Sequence, residues 1–537
     1  WYDSIDRKVN KDYWKKVVVV ASDWNSLRKL ARDLQHHIVA DTGVERPVHA
    51  PWTDEHIGTV PECSPADVQA AVARARHAQP AWAALPFRSR AQIILRFHDL
   101  VLQRQNAVLD LMQWETGKAR RHALEEVLDT AIVARYYAVH GEKMLRSRRR
   151  AGALPLLTAT WEYHHPRGVV GITTPWNYPL SLAATDAIPA LLAGNAVVIK
   201  PDVQTPFTAL WVAQLFREAG LPPDVFQIVT GDGPTVGGAL IDAVDYVTFT
   251  GSTATGRIVA RHAAERLIGC SLELGGKNPM LVLDDADLDA AVDGALRGCF
   301  ASAGQLCISI ERIYVAAPLY ERFAERLATR TKALRMGTGL DYTIEMASLT
   351  GPRQLATVQQ HVDDAVAKGA KVLAGGRHRP DLGPFFYEPT VLENVNESML
   401  LFAEETFGPV VALYRAESDE DAISAANASR YGLNASVYTR DHARGRAVAQ
   451  RLQAGTVNIN EAYAAAWGSV DAPMGGFKES GIGRRHGREG LLRFTESQTV
   501  AVQRVTPIAP PRMLPMAWFA RLLTGWLKLL RQLARLR

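Results

Sequence analysis

Cysteine is scarce in this chain. The 537 residues hold four, Cys63, Cys270, Cys299 and Cys307, too few and too scattered for a disulfide framework. Their scarcity implies a reducing, cytoplasmic setting. No internal repeat is present, which excludes a solenoid. The apolar run Val17-Val18-Val19-Val20, preceded by Tyr13-Trp14-Lys15-Lys16, is too short to cross a membrane and reads as a strand or docking arm. Acidic residues are absent from 501–537, where seven Lys and Arg stand. With +7 there and +5 overall, the first 500 residues sum to −2. A uniformly basic nucleic-acid binder is thereby excluded, and a charged appendage is not.

What is present is a globular composition, 47% hydrophobic and 22% charged. The length fits three or four domains or one large enzyme. Residues 25–35 read as a helix. From about 51 the chain alternates helix and strand. Ala66–Gln79 reads as a helix with Ser64 as N-cap and Pro65 at its first position, ended by Pro80. Phe87–Trp114 and His122–Ala138 follow, with a turn at Glu115–Lys118. Apolar strands are expected at Gly168–Thr173, Val197–Lys200, Phe226–Thr230 and Tyr246–Phe249. A second alternating stretch, from about 277 to 465, has strands at Met280–Leu283, Glu311–Val315, Val372–Ala374, Val410–Tyr414 and Ala435–Tyr438. Apolar strands separated by helices imply an α/β fold with parallel sheets buried on both faces.

Five patterns carry chemistry. Cys307, shortly after Gly304, suits a turn presenting a thiol, or a buried structural cysteine. Glu273, followed by Leu274-Gly275-Gly276-Lys277, is a general base or an ordinary strand exit. Asn177, in Pro175-Trp176-Asn177-Tyr178-Pro179, is an oxyanion donor or an Asx-turn cap. The glycine runs Gly231–Gly237 and Gly251–Gly256 each follow a strand, as pyrophosphate-binding turns do. Arg257 and Ile258 stand where a P-loop needs Lys and Ser/Thr, which rejects a P-loop NTPase. The pair Glu404-Glu405 is a ribose acceptor or a charged loop. No metal-ligand pattern is found.

Together and in this order, from about 55 to 503, these motifs resemble the aldehyde dehydrogenase superfamily. They are Pro175-Trp176-Asn177, Lys200-Pro201, Phe249-Thr250-Gly251-Ser252, Glu273–Lys277, Gly304-Gln305-Leu306-Cys307, Glu405–Pro409 and Pro473–Gly476. Gln305–Arg312 and Ser480–Gly487 resemble the succinate-semialdehyde dehydrogenase branch. The resemblance implies an aldehyde dehydrogenase-like fold: a Rossmann-type cofactor domain (51–145 and 166–275), an α/β catalytic domain (276–475) and a small β oligomerisation element (146–165 with 476–503). Residues 1–50 and 504–537 would be extensions. It implies Cys307 as nucleophile through a thiohemiacetal and a thioester, Asn177 and the Cys307 N–H as oxyanion donors, and Glu273 as base. Trp176, Lys200, Asp202, Gly231, Gly237, Phe249, Gly251, Ser252, Glu405 and Phe407 would bind NAD(P). The carboxylate of Asp202, placed to repel a 2′-phosphate, leans the preference slightly to NAD, although Val203 replaces a Glu often found in NAD users. A homodimer or homotetramer is implied.

The branch's substrate-carboxylate arginines are Thr185 and Ala301 in this chain. Leu180, Leu182, Phe300 and Trp467 suggest an apolar tunnel instead. A lipophilic-aldehyde enzyme, a CoA-acylating relative and a non-catalytic binding homologue are the alternatives. Glu273 argues against the second, and intact Cys307, Glu273 and Asn177 against the third.

Residues 516–537, set off by Pro510, Pro511 and Pro515, project as an amphipathic helix at ~100° per residue. Arg521, Thr524, Gly525, Lys528, Arg531, Gln532 and Arg535 share one face. Trp518, Phe519, Leu522, Leu523, Trp526, Leu527, Leu529, Leu530, Leu533 and Leu536 share the other. Such a helix is an in-plane membrane anchor, giving peripheral contact at the inner face of a membrane, or packs on a neighbouring subunit or the tunnel mouth.

Overall fold

A computed structural model describes residues 24–153, 157–504 and 507–534. The expected strand near Tyr13–Val20 and the last three residues of the tail lie outside them. The chain forms two compact units. One ends at Met144, resumes at Pro166 and runs to Glu496; the other joins Leu145–His165 to the chain from Ser497.

The first unit holds two large sheets. The six-stranded sheet has the order Gly481–Ile482, Gly269–Glu273, Tyr246–Thr250, Val169–Thr173, Ala196–Lys200, Phe226–Ile228. All its pairs are parallel except that of the short strand Gly481–Ile482. Val169, Val170, Ala196, Val197, Val198 and Ile199 are fully buried, as a sheet covered on both faces requires. Each such branched side chain contributes about 1.5–3 kcal/mol by leaving water. The seven-stranded sheet runs Lys371–Ala374, Thr390–Glu393, Val410–Ala416, Ile310–Ala316, Asn278–Val282, Asn434–Tyr438, Thr456–Ile459. It is parallel except at its edge strand Lys371–Ala374.

The helix expected over 25–35 is Trp24–Gln35, and that expected over His122–Ala138 is longer at both ends, Arg120–Leu145. Ser64 caps Pro65–Ala84 with a full capping box shared with Asp67, a device that contributes about 1 kcal/mol. Pro80 does not end this helix. Proline forfeits one N–H bond, but the last turn is pinned from both sides of it. Gln79 donates to the Gly194 carbonyl at 2.8 Å and the buried Trp82 indole to that of Leu191 at 2.9 Å. The single helix expected over Phe87–Trp114 is two, Phe87–Gln103 and Gln105–Thr116, parted at Arg104, whose ψ of 19° leaves the helical range. Glu115 and Thr116 close the second of these, and the turn itself is Gly117, left-handed at φ 75°.

The second unit contains a three-stranded sheet, Thr495–Gln503 beside Thr158–Pro166 beside Arg148–Arg150. The arginine run is therefore a short edge strand, with Arg150 donating to Glu162 at 2.6 Å. The unit also contains the helix Met516–Ala534. Among the described residues no helix is long and apolar enough to cross a membrane.

Candidate active site

The six-stranded sheet reverses its winding between Val169–Thr173 and Tyr246–Thr250. Crevices at such switch points, beyond the carboxyl ends of parallel strands, are where open α/β sheets bind ligands. Thr173 pairs with Phe249 on one side and Lys200 on the other. The loops leaving these strand ends carry Trp176 and Asn177, Asp202, and Gly251 and Ser252. Glu273 is the last residue of the adjoining strand Gly269–Glu273. After four intervening residues the chain enters Asn278–Val282 of the other sheet. The carboxyl edge of one sheet is thereby tied to the amino edge of the next.

Gly275 and Gly276 make that crossing because nothing larger fits. A β-carbon on Gly275 would overlap the Glu405 carboxylate, and one on Gly276 would reach the Cys307 carbonyl at 2.5 Å. The Glu405 carboxylate accepts from the Gly276 N–H at 2.9 Å, and Asn278 donates to the Cys307 carbonyl at 2.8 Å. Cys307 itself lies between the helix Leu288–Phe300 and the strand Ile310–Ala316. The loop before it is strained: Ser302, Ala303 and Gly304 are all left-handed, at φ 52°, 55° and 71°. Such backbone costs about 1–3 kcal/mol per non-glycine residue and is typical of sites whose surroundings dictate geometry. At Gly304 a side chain would collide with the Gly408 carbonyl.

Asn177 reaches the cysteine loop from the other sheet. Its buried amide donates to the Gln305 carbonyl at 3.0 Å, two residues before Cys307, so it is not an Asx-turn cap. Its backbone carbonyl accepts from Lys118, whose ammonium is buried against Glu126. Glu273 is 5% exposed. Burial pushes its carboxyl up to about 7, with Arg485 and Arg493 pulling it down. Burial, followed by the charges of Glu273 and Glu405, pushes the Cys307 thiol up to about 12. Glu405 rises to about 8, through burial and the nearby Glu311. The thiol thus feels the charges of two buried carboxyl groups whose pKa values lie near neutral.

The expected cofactor residues gather along the same edge. Trp176 and Phe407 meet edge-on, ring centroids 5.4 Å apart. Ser252 caps the helix Thr253–Glu265, accepting from the Thr255 N–H at 3.2 Å. This helix start points its positive end at the switch point. Lys200 is buried, and among the described residues its ammonium donates only to the Pro201 carbonyl, at 3.2 Å. A buried ammonium with donors to spare fits the ribose hydroxyls of a dinucleotide. Burial lowers its pKa against the pull of Asp202 and Asp232. Asp202 accepts from the Gln204 N–H at 3.0 Å. Gly237 lies over the Lys200 stem, where a β-carbon would stand 3.8 Å from Cδ. Gly231 and Phe249 act locally: Gly231 at φ 143° packs on Val236, and the buried Phe249 ring backs Gly251.

Three supports were not singled out from sequence. Glu311 is buried, paired with Lys277 at 2.5 Å, and accepts from the Thr406 and Phe407 N–H groups at 3.0 Å each. It fixes the loop that carries Glu405 and Phe407. Arg485 and Arg493 both pair with the buried Asp186 and bias Glu273. Tyr178 and Tyr463 donate to Glu125 at 3.2 and 2.9 Å. All three lie within or beside quoted motifs, but a lone charged residue gives no sequence signal of burial.

Of the expected tunnel residues, Leu182 and Trp467 pack in one apolar cluster with Tyr178, Ala301, Leu306, Tyr463 and Cys307. Phe300 belongs to the core of the second sheet, and Leu180 is fully buried outside the cluster. Phe300 and Ala301 also line a cavity of about 640 Å³ whose wall includes Arg121, Glu125 and Arg297. Thr185 and Ala301 are buried. Among the described residues no cluster of His, Cys, Asp or Glu could hold a metal ion.

Comparison with known proteins agrees with this geometry. The model of the aldehyde dehydrogenase family matches residues 38–500. A putative succinate-semialdehyde dehydrogenase [NADP(+)] of Mycolicibacterium smegmatis is 51% identical, covering 91% of this chain and 94% of its own. One from Mycobacterium tuberculosis is 50% identical, covering 88% and 91%. Among solved structures, an aldehyde dehydrogenase from Brucella melitensis superposes with a TM-score of 0.83 at 35% identity, covering 87% of this chain and 96% of its own. Betaine aldehyde dehydrogenase from Staphylococcus aureus in complex with NAD+ gives 0.85 at 34%, covering 90% and 97%. The chain belongs to the aldehyde dehydrogenase family, as an NAD(P)-dependent oxidoreductase acting on aldehydes.

Proposed function

We propose that Cys307 is the nucleophile that oxidises the aldehyde to a carboxylic acid. Its thiolate adds to the aldehyde carbon, and the carbonyl electrons move to oxygen. Asn177 and the Cys307 N–H donate to that oxyanion. NAD(P)+, when bound, supplies the acceptor for the hydride that the adduct gives up, leaving a thioester on Cys307. Glu273 then takes a proton from water as the water attacks, and the acid leaves with the thiolate restored. The observation carrying this reading is the convergence of Asn177, Glu273 and Glu405 on one strained cysteine loop. Trp176, Lys200, Asp202, Gly251, Ser252, Glu405 and Phe407 hold the cofactor, with Gly231, Gly237 and Phe249 shaping the turns around them. The cofactor and catalytic portions divide near Gly275.

The substrate we infer is succinate semialdehyde, in line with the names of the 50–51% identical relatives. Thr185 and Ala301 supply no charge for its carboxylate. Arg121, Arg297 and Arg330, on the wall of the cavity that Ala301 also lines, are the arginines within that cavity's reach. Asp202 favours NAD over NADP, whereas those relatives are named for NADP(+). An aldehyde panel from succinate semialdehyde to long-chain and aromatic substrates, run with both cofactors, tests this. We expect the highest kcat/KM for succinate semialdehyde and a lower KM for NAD. A long-chain optimum, or a lower KM for NADP, overturns the respective half.

The strand Thr495–Gln503 lies at a sheet edge and is exposed over most of its length. Such edges invite pairing, which supports a homodimer or homotetramer through this strand. The free state of all four cysteines accords with a reducing, cytoplasmic setting.

A further inference from the structure

We propose that the helix Met516–Ala534 is an in-plane anchor for an anionic lipid surface. The proposal concerns the second unit and does not rest on the chemistry assigned to Cys307. The helix is 19 residues long, about 28 Å at 1.5 Å per residue. Its apolar arc is largely open: Trp518, Leu522 and Leu527 are 59%, 62% and 64% exposed, and Phe519, Leu523 and Leu530 beside them are half-buried. Trp526 and Leu529 on the same arc are also exposed. An isolated exposed leucine is ordinary, but a continuous apolar arc along a whole helix marks an interaction surface.

Charge selects the occupant. Arg521, Lys528 and Arg531 lie together on the opposite arc, and no Asp or Glu occurs from 501 to the end. A second copy of this helix, laid face to face, would bring like charges together along its rims. A bilayer surface with anionic headgroups offers the needed pairing: an apolar slab beneath a layer of negative charge. The Arg521 guanidinium sits 5.6 Å from the Trp518 ring centre, at the boundary between the arcs. An aromatic ring and a cation at that boundary suit the headgroup level. Arg521, Lys528 and Arg531 interrupt the apolar surface too often for a spanning orientation. Pro510, Pro511 and Pro515 precede the helix and keep it from continuing as part of the strand before it.

The test is co-sedimentation of the full chain with vesicles of phosphatidylcholine alone or of equal parts phosphatidylcholine and phosphatidylglycerol. Two variants accompany it: a chain truncated after Thr506, and the combined Arg521→Glu, Lys528→Glu and Arg531→Glu. We expect the full chain to bind the anionic vesicles at least about tenfold more tightly than the neutral ones, with binding weakened by salt. Both variants should lose that preference while oxidising a water-soluble aldehyde at the parent rate, which reports that they fold. Equal binding by the truncated chain overturns the proposal. So does a full chain that ignores anionic vesicles, or a truncation that changes oligomer mass without changing vesicle binding; the helix would then pack on a second copy.

Discussion

The cysteine loop and the C-terminal helix are opposites. Around Cys307 the backbone is strained, glycines stand where no β-carbon fits, and buried charges answer one another: Lys277 to Glu311, Lys118 to Glu126, Arg485 to Asp186. Along Met516–Ala534 the backbone is regular and no described side chain is buried. The first region is over-determined by its own fold, and the second is specified by amphipathic pattern alone. Function in the first depends on positions held to fractions of an ångström, and in the second on the sum of a face. Substitutions should therefore be costly one at a time in the first and nearly silent one at a time in the second.

The largest break should come from Cys307→Ala, which removes the nucleophile. Steady-state NAD(P)H formation should fall by roughly 10⁴-fold or more. Glu311→Gln should come next. It leaves Lys277 as an unanswered buried cation and loosens the Thr406–Phe407 turn, at a cost of about 3–5 kcal/mol in a denaturant titration. A variant as stable as the parent would show that the pair does not hold the loop. Asn177→Ala should lower kcat by about 10²–10³-fold, as loss of one oxyanion donor does. It should also cost about 1–3 kcal/mol in a denaturant titration, because the buried Gln305 carbonyl loses its donor. The smallest effect is that of pH. A base must be ionised to act, and Glu273 is ionised above about 7. Below that value the hydrolytic step should slow about tenfold per pH unit. A flat profile between pH 5.5 and 7.5 would remove Glu273 from the role.

Much of this contrast was readable before any coordinates. The alternation of strands and helices located most strands of both sheets, and the order of motifs pointed to the loops at the strand ends where Asn177, Glu405 and Cys307 meet. The tail's two faces followed from periodicity. What the sequence concealed was support at a distance. Pro80 reads as a helix end because the bonds of Gln79 and Trp82 to residues more than a hundred positions away carry no local mark. Arg104 looks like any helical residue, yet its backbone leaves the helix there. Glu311 looks like a strand residue until Lys277 and the Phe407 turn close over it. Gly275 and Gly276 were legible as a motif, but only folding brings Glu405 and Cys307 against them.

The most direct measurement is intact-mass spectrometry of the Glu273→Gln variant, quenched within one turnover of aldehyde and cofactor. Because water then lacks its base, an acyl group should accumulate on the protein, mapping by digestion to Cys307, with a burst of NAD(P)H equal to the enzyme present. No acyl adduct alongside continued turnover, or an adduct at Cys63, Cys270 or Cys299, would contradict the account.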